Sequence, residues 1–239
     1  MKTTLYTAAS RGHMDHGWLD THHTFSFASY YDPNRMHFGA LRVLNDDIVV
    51  GGEGFGTHPH DNMEIISIPI SGDLEHRDSM GHHGVIKAGD VQVMSAGTGV
   101  RHSEFNGGQI LPVNFFQIWI IPNKRNVEPR YQQMSLDFLD SRNRLTQIVT
   151  PNPQDDVLWI YQDAWLSTGT FDQGVSTEYA IKRDGNGVFA MVIDGEFTVG
   201  DQKLGPRDGL AVWDIDRVKI TADTPDARIL LLDVPLIEL

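Results

Sequence analysis

No stretch of this chain sustains apolar residues at the 3.6-residue spacing of an amphipathic helix. What recurs instead is a short apolar or alternating run, stopped each time by Gly, Pro, Asn or Asp. Examples are ALRVL (40–44), EIISIPI (64–70), GVIKAGDVQVM (84–94), FFQIWII (115–121), GVFAMVI (187–193), GLAVWDI (209–215) and RILLLDV (228–234). Strand-length segments with turn chemistry at that spacing lead to an all-β sandwich or barrel with few short helices. The segment that leans most towards helix is YQQMSLDFLDSR (131–142).

Two stretches repeat one pattern: PISGDLEHRDSMGHHGVIKAGDVQVMSAG and VIDGEFTVGDQKLGPRDGLAVWDI. Each reads strand, glycine turn, strand, polar hairpin, then a Gly/Asp turn into another apolar strand. Gly72 aligns with Gly195, and Asp90–Met94 with Gly209–Trp213. A repeat of this length in 239 residues suggests two β-barrels in tandem. The polar segment PNKRNVEPRYQQMSLDFLDSRNR (122–144) contains two prolines, Pro122 and Pro129. The expected division is therefore 1–122, a linker over 123–144, and 145–239.

The two halves differ chemically. All 11 histidines lie between His13 and His102. The chain carries 19 Lys and Arg against 32 Asp and Glu, a formal charge of −13, which argues against phosphate-backbone partners and anionic lipid. With no cysteine there is no disulfide, thiolate ligand or thiol nucleophile. No apolar run has the length of a membrane span, and the N-terminal residues lack a signal-type apolar core, so a cytoplasmic setting is expected.

The stretch GFGTHPHDNMEI (54–65) places His58 and His60 two apart. On a strand, residues i and i+2 share a face. Both imidazoles can then face a barrel interior while Pro59 points out, which puts that strand at an edge, a bulge or a strand start. GVRHSEFN supplies a second such pair, His102 and Glu104. Gly97 and Gly99 precede it and allow a sharp turn. Adjacent strands would bring three imidazoles and a carboxylate together, a set suited to a borderline divalent transition metal with positions left open. Glu64, by simple parity, also qualifies as the acidic ligand.

These residues resemble the cupin motifs. Gly52, His58, His60 and Glu64 follow the first; Gly89, Gly99, His102 and Asn106 follow the second, without its usual proline. RGHMDHGWLDTHHTFSFASYYDP (11–33), LRVLNDD (41–47), GFGTHPHDNMEI (54–65) and MSAGTGVRHSEFN (94–106) look like the blocks of pirin-type bicupins, in order. The resemblance is dense over 11–122 and thinner beyond. It implies two cupin (jelly-roll) barrels in tandem, the first with a metal on His58, His60, His102 and Glu104, the second degenerate. It assigns the acidic place to Glu104 rather than Glu64. It implies quercetin 2,3-dioxygenase activity, in which O2 opens a flavonol with release of carbon monoxide and Glu104 takes the substrate's proton. Fe(II) is the first metal expected, with Mn, Co, Ni, Cu or Zn admitted. An alternative is a pirin-like regulatory protein acting through a protein partner.

Other residues are read as structural. His13, His16, His22, His23 and His37 belong to an N-terminal segment packed across the barrel; His76, His82 and His83 lie in a solvated hairpin. FFQIWI is a core strand, and Arg101 points away from the ligands. In the second repeat, counting back from Gly195 sets Ile181 and Arg183 at the places of His58 and His60.

Overall fold

The computed structural model describes residues 1–136 and 142–237. The first twelve strands are β1 (Lys2–Tyr6), β2 (Gly12–Asp15), β3 (Leu19–His23), β4 (Leu41–Val49), β5 (Gly54–His60), β6 (Glu64–Ser71), β7 (Asp73–Asp78), β8 (His83–Lys87), β9 (Asp90–Ser95), β10 (Val100–Asn106), β11 (Val113–Ile120) and β12 (Arg130–Ser135). Ten follow: β13 (Thr146–Thr150), β14 (Leu158–Trp159), β15 (Trp165–Phe171), β16 (Ser176–Ala180), β17 (Asn186–Asp194), β18 (Phe197–Val199), β19 (Gln202–Leu204), β20 (Gly209–Trp213), β21 (Arg217–Ala222) and β22 (Ala227–Pro235). A single 3₁₀ turn, Ala8–Ser10, is the helical element among the described residues.

The strands form two copies of one arrangement. A seven-stranded sheet β12-β9-β6-β11-β4-β3-β2 faces a four-stranded sheet β5-β10-β7-β8; in the second half β1-β20-β17-β22-β15-β13-β14 faces β16-β21-β18-β19. These are the two expected tandem barrels. The aligned glycines do equivalent work: Gly72 (φ +76°) turns β6 into β7, and Gly195 (φ +72°) turns β17 into β18.

The central strands of each seven-stranded sheet, β6 and β11 in the first and β17 and β22 in the second, are buried on both faces, which explains their near-continuous apolar sequence. On β11, Phe116, Ile118 and Ile120 pack into a core shared with Phe189, Met191, Leu230 and Leu232 of the second half. Val113 and Phe115 turn into the first barrel with Leu74 and Ile86. The barrels therefore sit back to back across one apolar layer, with the four-stranded sheets outside.

Pairing crosses the expected division. β1 adds to the second half, Lys2–Tyr6 running against Gly209–Trp213. β12 adds to the first half, Arg130–Ser135 running against Asp90–Ser95. This corrects the helix expected over 131–142: Tyr131–Ser135 are strand, because the open edge of β9 offers a ladder that a polar segment completes; 137–141 lie outside the described residues. The expected placing of Ile181 and Arg183 at the positions of His58 and His60 is also corrected, because β16 is the counterpart of β5. β16 ends at Ala180, so Ile181 and Arg183 lie past it. The inward residues of β16 and β21 are Tyr179, Val218 and Ile220, which fill that barrel with apolar packing.

Candidate metal centre

β5 is the edge strand of its sheet, the position that tolerates Pro59. Its neighbour β10 places His102 opposite His58 and Val100 opposite His60. A register shift between His102 and Glu104 then sets Glu104 against Phe55. Such a bulge bends a strand and re-aims side chains. Along β10, Val100, His102, Glu104 and Asn106 are buried while Arg101 and Phe105 are exposed, as alternation requires. The turn before β10 is fixed by Gly97 (φ +49°), where an added Cβ would lie 2.0 Å from the Val127 carbonyl oxygen.

The result is convergence. The ring centroids of His58, His60 and His102 lie 4.5–4.8 Å apart. One nitrogen from each lies within 4.8 Å of the others. His58 donates Nδ1–H to the Gly56 carbonyl (2.8 Å), which leaves Nε2 as the lone-pair nitrogen. Burial, with the neighbouring imidazoles, pushes His60 down to about 4 and His102 down to about 3. Both rings are then neutral at pH 7, the form that binds metal. Both ring nitrogens of His102 are buried without a hydrogen-bond partner, so this cluster fits an ion.

Glu104 is buried at 2% exposure. Its carboxylate accepts from Ser67 Oγ (2.8 Å) and from Gln117 Nε2 (2.6 Å). Each oxygen keeps lone-pair capacity after that. The centre opens on a cavity of about 50 Å³ bounded by Phe55, Trp119, Gln117, Phe27 and Asp47. Trp119 stands edge-on to His60 (4.9 Å, 84°), and Phe27 edge-on to Trp119 (5.3 Å). Burial lifts Asp47 to about 7; Thr21 Oγ1 donates to it.

Glu64 lies elsewhere. Its Oε2 accepts from Ser95 Oγ (2.7 Å), and Arg130 Nη1 reaches both Ser95 Oγ (3.0 Å) and the Trp159 carbonyl (2.6 Å). It thus belongs to the joint between the barrels. Parity failed because β5 and β6 are separate strands: Asn62, at φ +45°, turns the chain between them. Burial lifts Glu64 to about 7, against the opposing pull of Ser95, Arg130 and the Tyr161 N–H.

His76 is the other correction. It is fully buried, not solvated: its Nε2 lies 3.2 Å from Asp78 Oδ2 and its ring stacks on Tyr131 at 4.7 Å. Burial pushes the Asp78 carboxyl up, but the His82 N–H and the His76 and His82 side chains outweigh it and hold it below its ordinary value. Sequence reasoning also missed Ser67, Gln117, Trp119 and Asp47. Their one signal was polar or aromatic residues at odd positions of apolar strands. The N-terminal histidines are hydrogen-bonded or exposed as expected, but His13, His22 and His23 lie on β2 and β3, which extend the sheet rather than cross the barrel: His23 bonds Asn45 (2.9 Å), and His13 and His22 stack at 4.4 Å beside Asp20.

Comparison with known proteins agrees with this architecture. The Pirin family profile matches residues 5–120, and that of the quercetinase C-terminal cupin domain matches 147–234. The chain is 42% identical over 231 residues to quercetin 2,3-dioxygenase of Escherichia coli, covering 97% of this chain and 98% of that one. It is 40% identical over 225 residues to a pirin-like protein of Caulobacter vibrioides, covering 93% and 95%. Among solved structures, the bacterial pirin YhhW of Escherichia coli in complex with nickel(II) superposes with a TM-score of 0.93 at 41% identity, covering 99% of this chain and 100% of that one.

Proposed function

Since the chain belongs to the pirin family of bicupins, we propose that it is a metal-dependent dioxygenase that cleaves a flavonol such as quercetin with O2, releasing carbon monoxide. The observation that carries this reading is that His58, His60 and His102 converge, while His58, His60 and Glu104 line one small aromatic-walled cavity. The relatives named quercetin 2,3-dioxygenase and the nickel-bound relative support it.

In this reading His58 Nε2, one nitrogen each of His60 and His102, and a Glu104 oxygen hold a divalent metal; Fe(II) is the metal proposed, and the donor set also admits Mn, Co, Ni, Cu or Zn. The bound metal supplies a Lewis-acidic centre for the substrate's oxygens and O2. The chain supplies the rest. Glu104 takes the 3-hydroxyl proton of the flavonol on its free lone pair, while Ser67 and Gln117 keep the carboxylate from swinging. Trp119 and Phe55 hold the oxygenated ring by its faces and edges. A cavity of about 50 Å³ has room for a few water-sized groups. The flavonol therefore enters by its oxygen-bearing edge, and its remaining rings lie over the mouth near Phe27.

Elemental analysis of the purified protein, followed by an aerobic assay of flavonol absorbance, tests this. His58→Ala and His102→Ala should lose bound metal and turnover together. Undiminished quercetin cleavage by the metal-free double variant would refute it.

A further inference from the structure

Among the buried nitrogens beside the candidate centre that have no hydrogen-bond partner are Nδ1 of His76 and both ring nitrogens of His102. An unmade buried hydrogen bond costs about 1–3 kcal/mol, so each requires an account. The metal of the reading above, on which this inference rests, takes one His102 nitrogen. One N–H of His102 and Nδ1 of His76 remain. We propose that these two satisfy each other: His76 is the positioning residue of His102, accepting at Nδ1 the N–H that His102 does not use for the metal, with Asp78 fixing His76 for the task.

The tautomer follows from the carboxylate. An ionised carboxyl only accepts, so the His76 nitrogen facing Asp78, Nε2 at 3.2 Å, carries the hydrogen. With that hydrogen on Nε2, the Nδ1 side of the ring is the one left to accept. Asp78 is itself immobile. Its side chain is fully buried and accepts from the N–H groups of Met80 (2.9 Å) and His82 (3.0 Å), with His82 Nδ1 at 3.0 Å. The His76 ring is held on its other side by the face of Tyr131.

Register brings the parts together. β10 and β7 pair His102 with Asp78 and Glu104 with His76, so all four sit side by side on the inner face of one sheet. The His76 and His102 rings are 5.4 Å apart, and candidate ligand atoms of His76, His102 and Glu104 lie within 4.8 Å of one another. The proposed bond requires the His102 ring to turn towards Nδ1 of His76. Asp78, His76 and His102 then form a line that orients the ligand and raises its basicity; loss of such support typically weakens metal binding by about 10–100-fold.

One competitor exists. Gln92, fully buried with neither amide atom partnered, faces the same interior from β9, in register with Ser67. The test uses the whole protein and no flavonol. Zn(II) and Co(II) affinities are measured by chelator competition, and the Co(II) d–d absorption is recorded, for wild type, His76→Phe, His76→Gln, Asp78→Asn and Gln92→Leu. His76→Phe should bind metal about 10–100-fold more weakly with displaced Co(II) bands. His76→Gln, whose amide oxygen still accepts, should recover most of both; Asp78→Asn should fall between; Gln92→Leu should match wild type. Wild-type affinity and bands in a folded His76→Phe, or in Asp78→Asn should the former not fold, overturn the proposal. So does a loss confined to Gln92→Leu, or a glutamine variant no better than phenylalanine. A wild type that holds metal but never turns over flavonol would sink the dioxygenase reading and leave this one standing.

Discussion

Glu64→Gln separates two roles that one residue could have had. In the fold, Glu64 is 1% exposed and held protonated up to about 7, against an ordinary value of 4.5. The shift is roughly 2.5 units, and at 1.36 kcal/mol per unit it is worth about 3 kcal/mol. The sign is fixed by linkage. Between those two values the folded chain binds a proton that the unfolded chain has released. Stability therefore falls as pH rises from about 4.5 to about 7, and levels off above. Glutamine is neutral throughout and still accepts from Ser95 Oγ, so the variant lacks this fall. Urea unfolding at several pH values between 4.5 and 8 reads the difference. Asp47 titrates in both proteins and cancels on subtraction. The wild-type curve should descend relative to the variant by about 3 kcal/mol, and metal content should be equal. Parallel curves would refute the burial argument, and loss of metal in Glu64→Gln would return Glu64 to the centre.

Three further outcomes follow from the geometry. Phe189→Ala empties the layer between the barrels, where Phe189 is fully buried, and should destabilise by about 3–5 kcal/mol in denaturant titration. Gly97→Ala forces a side chain onto a left-handed backbone and the Val127 carbonyl, and should cost about 2 kcal/mol or more, seen as a Tm lower by several degrees. Gln117→Leu removes a 2.6 Å donor to a buried carboxylate, about 1.5–3 kcal/mol, and should lower kcat more than it raises KM in the flavonol assay.

Much of this was legible in the chain. The periodicity gave strands, and Gly72 and Gly195 marked equivalent turns because both need positive φ. Within a single strand, parity is reliable: it paired His58 with His60 and His102 with Glu104. Across a turn it is not, which is why Glu64 misled. Ser67, Gln117 and Trp119 were hidden because β6 and β11 are buried on both faces, and a two-sided strand has no alternation to read. His76 was hidden because a histidine in a polar hairpin gives no sign of the carboxylate that will bury it. Nor does KTTLY announce that its ladder partner is Gly209–Trp213, at the far end of the chain.

That last pairing sets a clock. At roughly 5–20 residues per second, a ribosome needs about 10–40 s between releasing β1 and releasing β20. During that interval the first barrel can fold around its histidines while its leading strand waits, unpaired, for an edge not yet made. The candidate ligands His58, His60, His102 and Glu104 all precede residue 105, and the residues that wall their cavity lie between Phe27 and Trp119. That region is made before β20, so β1 can complete its ladder only after the candidate ligands have been synthesised.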